Sequence, residues 1–239
     1  DLLGGDSYTY LLGIFLEDPA AGVGTMSFYD QYSGRFGALG HTITDSLGRP
    51  IRIAGGSIVE ANIDSVRQGS KGSPGEKLGF FHGEQDVLGS IDSNSPFGIF
   101  GQLTQIPLNS NFPEPLPVAF AHQVREGPGE MYTVLTGNRV ERFSVWILKV
   151  VNQTKPNDKG MIIKVTDGRL LEKTGGIVQG MSGSPIVQNG MLVGAITHVF
   201  VNDPTKGYGN FAEWMIYEAG LTTDLPANNQ LRGKVFICA

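Results

Sequence analysis

The chain is 239 residues long, enough for one large β domain or two small ones to bury a core without metals or disulfides. Glycine (34) and proline (13) make up about a fifth of it and 40% is hydrophobic, which excludes collagen-like and disordered classes, while glycine at roughly double its ordinary usage with only 17% charged residues favours tight turns and short strands. A net charge of −5 with no basic block lacks the electrostatic footprint that phosphate backbones demand, so nucleic acid is not an expected partner.

In chain order, short runs rich in β-branched or aromatic residues, broken by Gly, Pro, Asn and Asp, predict strands. They fall at Ser7–Glu17, Gly24–Tyr29, Arg35–Thr44, Ile51–Ala54, Phe97–Ile106, Met131–Leu135, Arg142–Val151, Met161–Val165, Ile186–Val187 and Met191–Val201. Turn signals lie between them at Tyr32-Ser33-Gly34, Gly69–Gly75, Thr136-Gly137-Asn138 and Gln188-Asn189-Gly190; Asn189-Gly190 is the sharpest hairpin signal. The Gly- and Lys-rich segment Gly69–Lys77 reads as an exposed loop, and the Pro-rich stretch Asn109–Pro117 as a crossing between two β subdomains, with the boundary near 107–120 of a single domain spanning 1–239.

Helical signals are few. Phe211, Trp214, Met215 and Ala219 share one face at i, i+3, i+4 and i+8, with Gly220 as a left-handed stop, and Asp167 can cap a short turn over Gly168–Lys173 that Gly175-Gly176 ends. The expected class is all-β with a short C-terminal helix, closed barrels being favoured because they remove exposed strand edges.

The only cysteine, Cys238, is penultimate, which excludes an intrachain disulfide framework, a Cys-based zinc site and a cysteine nucleophile in the core. The apolar stretch Tyr10–Leu16 is far short of the ~20 residues that cross a bilayer, so no span is expected in this chain. With no initiator Met and no basic segment before an apolar one, the sequence reads as a mature or excised domain, any signal or anchor lying upstream. No His-Glu-x-x-His, Cys pair, Asp-rich calcium loop or Gly-Lys-Ser/Thr is present, so no metal and no cofactor is expected.

Chemistry concentrates in Gly175–Pro185. Gly180-Met181-Ser182-Gly183-Ser184-Pro185 sets a serine between glycines in a turn before a strand, which is what a serine nucleophile needs: an exposed Oγ on a tight turn with backbone N–H groups converging to hold an oxyanion. A plain Gly/Ser turn in a Gly-rich protein has the same composition. An α/β-hydrolase elbow is disfavoured, since residue 184 is Ser where that motif has Gly and a strand follows rather than a helix.

This loop and the hairpin into Leu192–Thr197 resemble the nucleophile loop and following strands of chymotrypsin-like proteases. The likeness is closer to the stage IV sporulation protein B serine peptidases of endospore-forming bacteria. It is carried by Phe36–His41, Gly75-Glu76-Lys77-Leu78, Ser95-Pro96-Phe97-Gly98, Gly175–Pro185, Gly194–Pro204, Gly207-Tyr208-Gly209 and Glu213-Trp214-Met215, and runs from about Gly22 to Gly220. The resemblance implies a chymotrypsin-like double β-barrel and a serine endopeptidase, with His41 as base, Asp167 as orienting acid and Ser182 as nucleophile. The N–H groups of Gly180 and Ser182 would form the oxyanion hole, and Thr197 and His198 would line the substrate cleft. His82 and His122 read as surface residues, and Asp45, Asp64, Asp86 and Asp92 stay open as alternative acids.

The resemblance further implies an exported enzyme acting in sporulation, in the space between forespore and mother cell, on a membrane-anchored regulator of a membrane-embedded protease, so that a mother-cell sigma factor matures. An N-terminal anchor and a PDZ domain, typical of such proteins, are not visible in this sequence. The rival reading is a non-catalytic, protease-like interaction module in which Ser182 is a turn residue.

Overall fold

The computed structural model describes residues 21–53, 55–81, 86–107, 114–221 and 234–237. The predicted strand Ser7–Glu17, His82, most of the Pro-rich stretch and Cys238 lie outside the described residues.

Seven strands build the first sheet: β1 (Met26–Tyr29), β2 (Arg35–Ala38), β3 (Gly56–Val59), β6 (Val87–Ser95), β7 (Gly98–Leu103), β8 (Leu116–Pro117) and β15 (Lys234–Ile237), in the order β3-β6-β7-β2-β1-β15-β8. A separate hairpin pairs β4 (Asn62–Arg67) with β5 (Glu76–Phe80). The second subdomain is a closed barrel of six strands, β9 (Gly127–Val134), β10 (Val140–Val150), β11 (Met161–Val165), β12 (Pro185–Gln188), β13 (Met191–Phe200) and β14 (Asp203–Phe211), in the order β10-β11-β14-β13-β12-β9. Helix α1 (Gly168–Thr174) follows β11, and α2 (Ala212–Glu218) follows β14. The class is all-β: among the described residues, one closed six-stranded barrel stands beside a seven-stranded sheet, with a short helix after the last barrel strand.

Side-chain alternation explains the barrel. Along β10, Val140, Phe143, Val145 and Ile147 are buried while Trp146 and Leu148 face outward, so one face of the strand fills the interior with Met131, Met161, Ile163 and Ile196. Asn189 (φ 52) and Gly190 (φ 75) are both left-handed between β12 and β13, as a type I′ hairpin requires. Asp167 caps α1 and Gly175 (φ 73) ends it; α2 is set with Trp214, Met215 and Ile216 buried, and Gly220 (φ 71) turns the chain away.

Some elements depart from the sequence pattern. The apolar run from Arg35 ends as a strand at Ala38, because Leu39 (φ 67) and Gly40 (φ 69) turn left-handed and carry the chain out of the sheet to His41. Residues 51–53 form no strand. Gly69–Lys77 is not wholly an exposed loop: Glu76 and Lys77 begin β5, and Lys77 is only 6% exposed. β3, β4, β6 and β14 have Gly- and Ser-rich or polar sequences without the alternation that marks a strand, and hydrogen bonding to their neighbours makes them strands.

Candidate active site

The candidate nucleophile loop is tied down along its length. Ile177 N–H donates to Pro204 O (2.7 Å), Gln179 N–H to Gly75 O (2.8 Å) and Gly183 N–H to Ile196 O (2.8 Å), while Met181 is fully buried beneath the turn. Gly180 (φ 90) and Gly183 (φ 93) flank the Met181-Ser182 pair. At Gly183 a Cβ would stand 1.9 Å from Thr25 O, so only glycine fits there. Among the described residues, the N–H groups of Gly180 and Ser182 donate to no protein acceptor. They are the two amides an oxyanion would require.

The start of β1 braces this loop from the other subdomain. Thr25 N–H donates to Ser182 O (2.9 Å), Thr25 Oγ1 donates to Gly180 O (2.9 Å), and Ser27 Oγ donates to Gly183 O (2.7 Å). Leu39 N–H in turn donates to Thr25 O (3.1 Å). One buried residue therefore joins the loop around Ser182 to the turn that delivers His41. Neither Thr25 nor Ser27 is conspicuous in the sequence, because the bonds span 155 and 156 positions.

His41 and Ser182 meet the same strand. Ser182 Oγ donates to Thr197 O at 2.8 Å, and the ring of His41 lies 4.6 Å from that of the next residue, His198, between centroids. His41 Nδ1 is 2.9 Å from Thr42 O; a carbonyl only accepts, so Nδ1 carries the proton and neutral His41 keeps its lone pair on Nε2. His198 is exposed, yet partial desolvation, with the positive field of His41 second, holds the imidazole below its ordinary pKa. The Thr197 side chain turns toward Gly40, whose Cβ, if present, would be 3.1 Å from Thr197 Cγ2. Thr197 thus offers the cleft its carbonyl, and its Oγ1 is buried without a partner among the described residues.

Asp167 is engaged elsewhere. Its carboxylate accepts from Arg169 N–H (3.0 Å), Ser144 N–H (3.3 Å) and the Arg169 guanidinium (3.1 and 3.2 Å). The bond to Arg169 holds its carboxyl below the usual carboxylate range. Arg169 also reaches Arg142 O and stacks over Phe143, so the group fastens α1 to β10. No bond of Asp167 reaches His41. Asp45 pairs with Arg49 and Asp92 with Arg35, Asp64 is exposed, and His122 stacks on Phe120 in a 3₁₀ turn. No group of three or more His, Cys, Asp or Glu among the described residues is arranged to hold a metal.

Lys77 is the other buried polar group at the loop. Its N–H donates to Gln179 O (2.9 Å), and its side chain runs beside Gly180 to place Nζ 2.7 Å from Thr133 Oγ1. Its only trace in the sequence is its place within Gly75-Glu76-Lys77-Leu78.

The sequence profile of the SpoIVB peptidase S55 family matches residues 8–216. No curated protein matches the chain. Among solved structures, the active form of the Rv3671c protease from M. tuberculosis is 13% identical, covering 77% of this chain and 97% of its own at a TM-score of 0.36. Human heparin binding protein is 14% identical, covering 86% and 93% at a TM-score of 0.39. No helix among the described residues is long and apolar enough to cross a membrane.

Proposed function

This chain belongs to the SpoIVB peptidase S55 family and is a serine peptidase acting on protein substrates, and from that premise we propose that Ser182 is its nucleophile and His41 its general base. The observation that supports this pairing is the convergence on β13: Ser182 Oγ binds Thr197 O while His41 packs on His198, one residue further on. Turning Ser182 Oγ from Thr197 O to the free Nε2 of His41 gives the proton transfer its acceptor. The oxygen then attacks the peptide carbonyl, and the N–H groups of Gly180 and Ser182 receive the negative charge. His41 returns the proton to the leaving amine, and water hydrolyses the acyl-enzyme by the same route.

Asp167 enters this scheme as the orienting acid through the family resemblance. To take that part its carboxylate has to exchange Arg169 for the imidazole, because the resting arrangement gives His41 Nδ1 the Thr42 carbonyl instead. Thr197 and His198 would border the acyl side of the cleft. In the cell the enzyme would be exported and act in sporulation, between forespore and mother cell. Its substrate would be a membrane-anchored regulator of a membrane-embedded protease, whose cleavage starts maturation of a mother-cell sigma factor.

The test is labelling with a fluorophosphonate, peptide mapping of the adduct, and Ser182→Ala assayed on a protein substrate. The adduct is expected on Ser182 and turnover is expected to fall by about 10⁵–10⁶-fold. Melting should stay close to wild type, since the hydroxyl makes a single hydrogen bond. Turnover retained by the folded Ser182→Ala protein would remove Ser182 from the mechanism. Incubation with the outward-facing part of such a regulator, with and without Ser182, tests the sporulation role separately.

A further inference from the structure

Lys77 is a lysine with no carboxylate partner among the described residues, buried against the segment that would hold the oxyanion. Glu76 and Gln179 form a parallel bridge, closed by Gln179 N–H to Gly75 O and Lys77 N–H to Gln179 O, so the β4–β5 hairpin is docked on the nucleophile loop one residue before Gly180. A Cβ on Gly180 would be 3.0 Å from Lys77 Cβ and 3.1 Å from Lys77 Cδ, so the aliphatic stem forms the wall of the Gly180 turn. Nζ ends on Thr133 Oγ1 (2.7 Å), which also accepts from Ser184 Oγ (3.0 Å), two residues past Ser182. Thr133 and Ser184 are fully buried.

We propose that Lys77 is a positioning residue of the protease: seated on Thr133, it walls the left-handed Gly180 turn and fixes the direction of the Gly180 N–H toward the oxyanion. This rests on the reading of Gly180 and Ser182 as the oxyanion donors. An ammonium would bring three N–H donors to a site with one acceptor among the described residues, whereas a neutral amine brings two. Burial pushes the Lys77 amine down to about 7.

No charge on the surrounding elements offsets that burial. Arg67 and Glu76 pair with each other across the hairpin, Asp64 on β4 is exposed and Lys71 lies in the exposed turn. On α1, Lys173 is bonded to Thr136 and Glu172 is exposed. On β9, Glu130 and Tyr132 bond each other on the opposite face, with Arg142 of β10 on Glu130. Glu141, the cross-strand neighbour of Thr133, is partly exposed and acts on Arg169. Residues 175–188 carry no ionisable side chain.

The experiment compares Lys77→Met and Thr133→Val with the wild type, measuring kcat, KM, affinity for a peptide aldehyde matched to the assay substrate, melting temperature and the pH profile. Both variants are expected to lose about tenfold in kcat and in aldehyde affinity with KM nearly unchanged, a fraction of what removing an oxyanion donor outright costs. Because an apolar chain replaces a buried amine, Lys77→Met should melt higher than wild type at pH 7 while turning over more slowly. The acid limb of the kcat/KM profile should be shallower in Lys77→Met than in the wild type, because the variant loses the titration of the buried amine. Unchanged kcat and aldehyde affinity in folded variants, or losses that only follow the folded fraction, would overturn the proposal. If wild-type protein is not labelled at Ser182, the functional reading itself fails, and this inference with it; labelled, active wild type with indifferent variants refutes the inference alone.

Discussion

The rings of His41 and His198 stand 4.6 Å apart with 39° between their planes, so the candidate base has a second imidazole as its neighbour. Two cations at that distance repel by roughly 3–4 kcal/mol at an effective dielectric near 20. Partial desolvation of an otherwise exposed side chain, and His41 second, lower the pKa of His198, so the structure disfavours a second positive charge beside His41. His198→Phe should therefore keep kcat within about threefold, whereas His198→Lys should cost about 100-fold by opposing that charge. Equal kcat for the two variants would show that the neighbour's charge is irrelevant to the base. The stability consequence has a definite sign. A base whose folded pKa lies below its unfolded value binds more protons when unfolded, so the folded state loses stability as pH falls past about 6.5. Melting of His198→Phe should decline less than wild type between about pH 7 and 5.

Thr25 links the two candidate catalytic loops through three of its atoms, N, Oγ1 and O, and its hydroxyl can be removed without changing its shape. Thr25→Val strips the donor from Gly180 O and leaves a buried carbonyl unpaired, at a cost of about 1–3 kcal/mol. The backbone bonds to Ser182 O and Leu39 N remain. We expect kcat to fall about tenfold with KM little changed, and Thr25→Ser, which restores the hydroxyl, to recover most of it. If serine and valine behave alike in steady-state assays, the hydroxyl has no part in orienting Gly180.

The barrel was more legible in the sequence than the sheet, for a physical reason visible in β10 and β6. β10 alternates buried Phe143, Val145 and Ile147 with outward residues, which declares a strand. β6, Val-Leu-Gly-Ser-Ile-Asp-Ser-Asn-Ser, has no such pattern and owes its extended form to pairing with β3 and β7. The Asn189-Gly190 turn and both helices followed from local chemistry: left-handed tolerance, a capping Asp167, and an apolar face ending at Gly220. Ser182 and His41 were visible as residues on small-residue turns, but nothing local joins them. That both approach one strand depends on Thr25, Thr197 and His198, which only the folded chain brings alongside. Lys77 was hidden because a Gly- and Lys-rich segment looks solvated until the side chain is seen to run under Gly180.

Asp167 gives two opposed forecasts for one substitution. As the cap of α1, it accepts from Arg169 N–H, and Asn caps a helix about as well as Asp, so Asp167→Asn would then leave activity near normal. As the orienting acid, the same change presents an amide that favours the wrong imidazole tautomer and does not stabilise the imidazolium, for a loss on the order of 10⁴ in kcat. In line with the family resemblance, we expect the second outcome. Arg169→Met, which frees the carboxylate while leaving the cap to the Arg169 backbone N–H, should then keep full activity or raise it. The stability sign is the same under either role: the carboxyl is held below its ordinary pKa, so its contribution is present at neutral pH and lost on acidification through the depressed value. Melting of Asp167→Asn should accordingly depend less on pH than wild type in the acid range. A fully active Asp167→Asn enzyme would leave Asp167 as a cap alone, with the Thr42 carbonyl as the group that fixes the His41 tautomer and a His41–Ser182 dyad as the machinery.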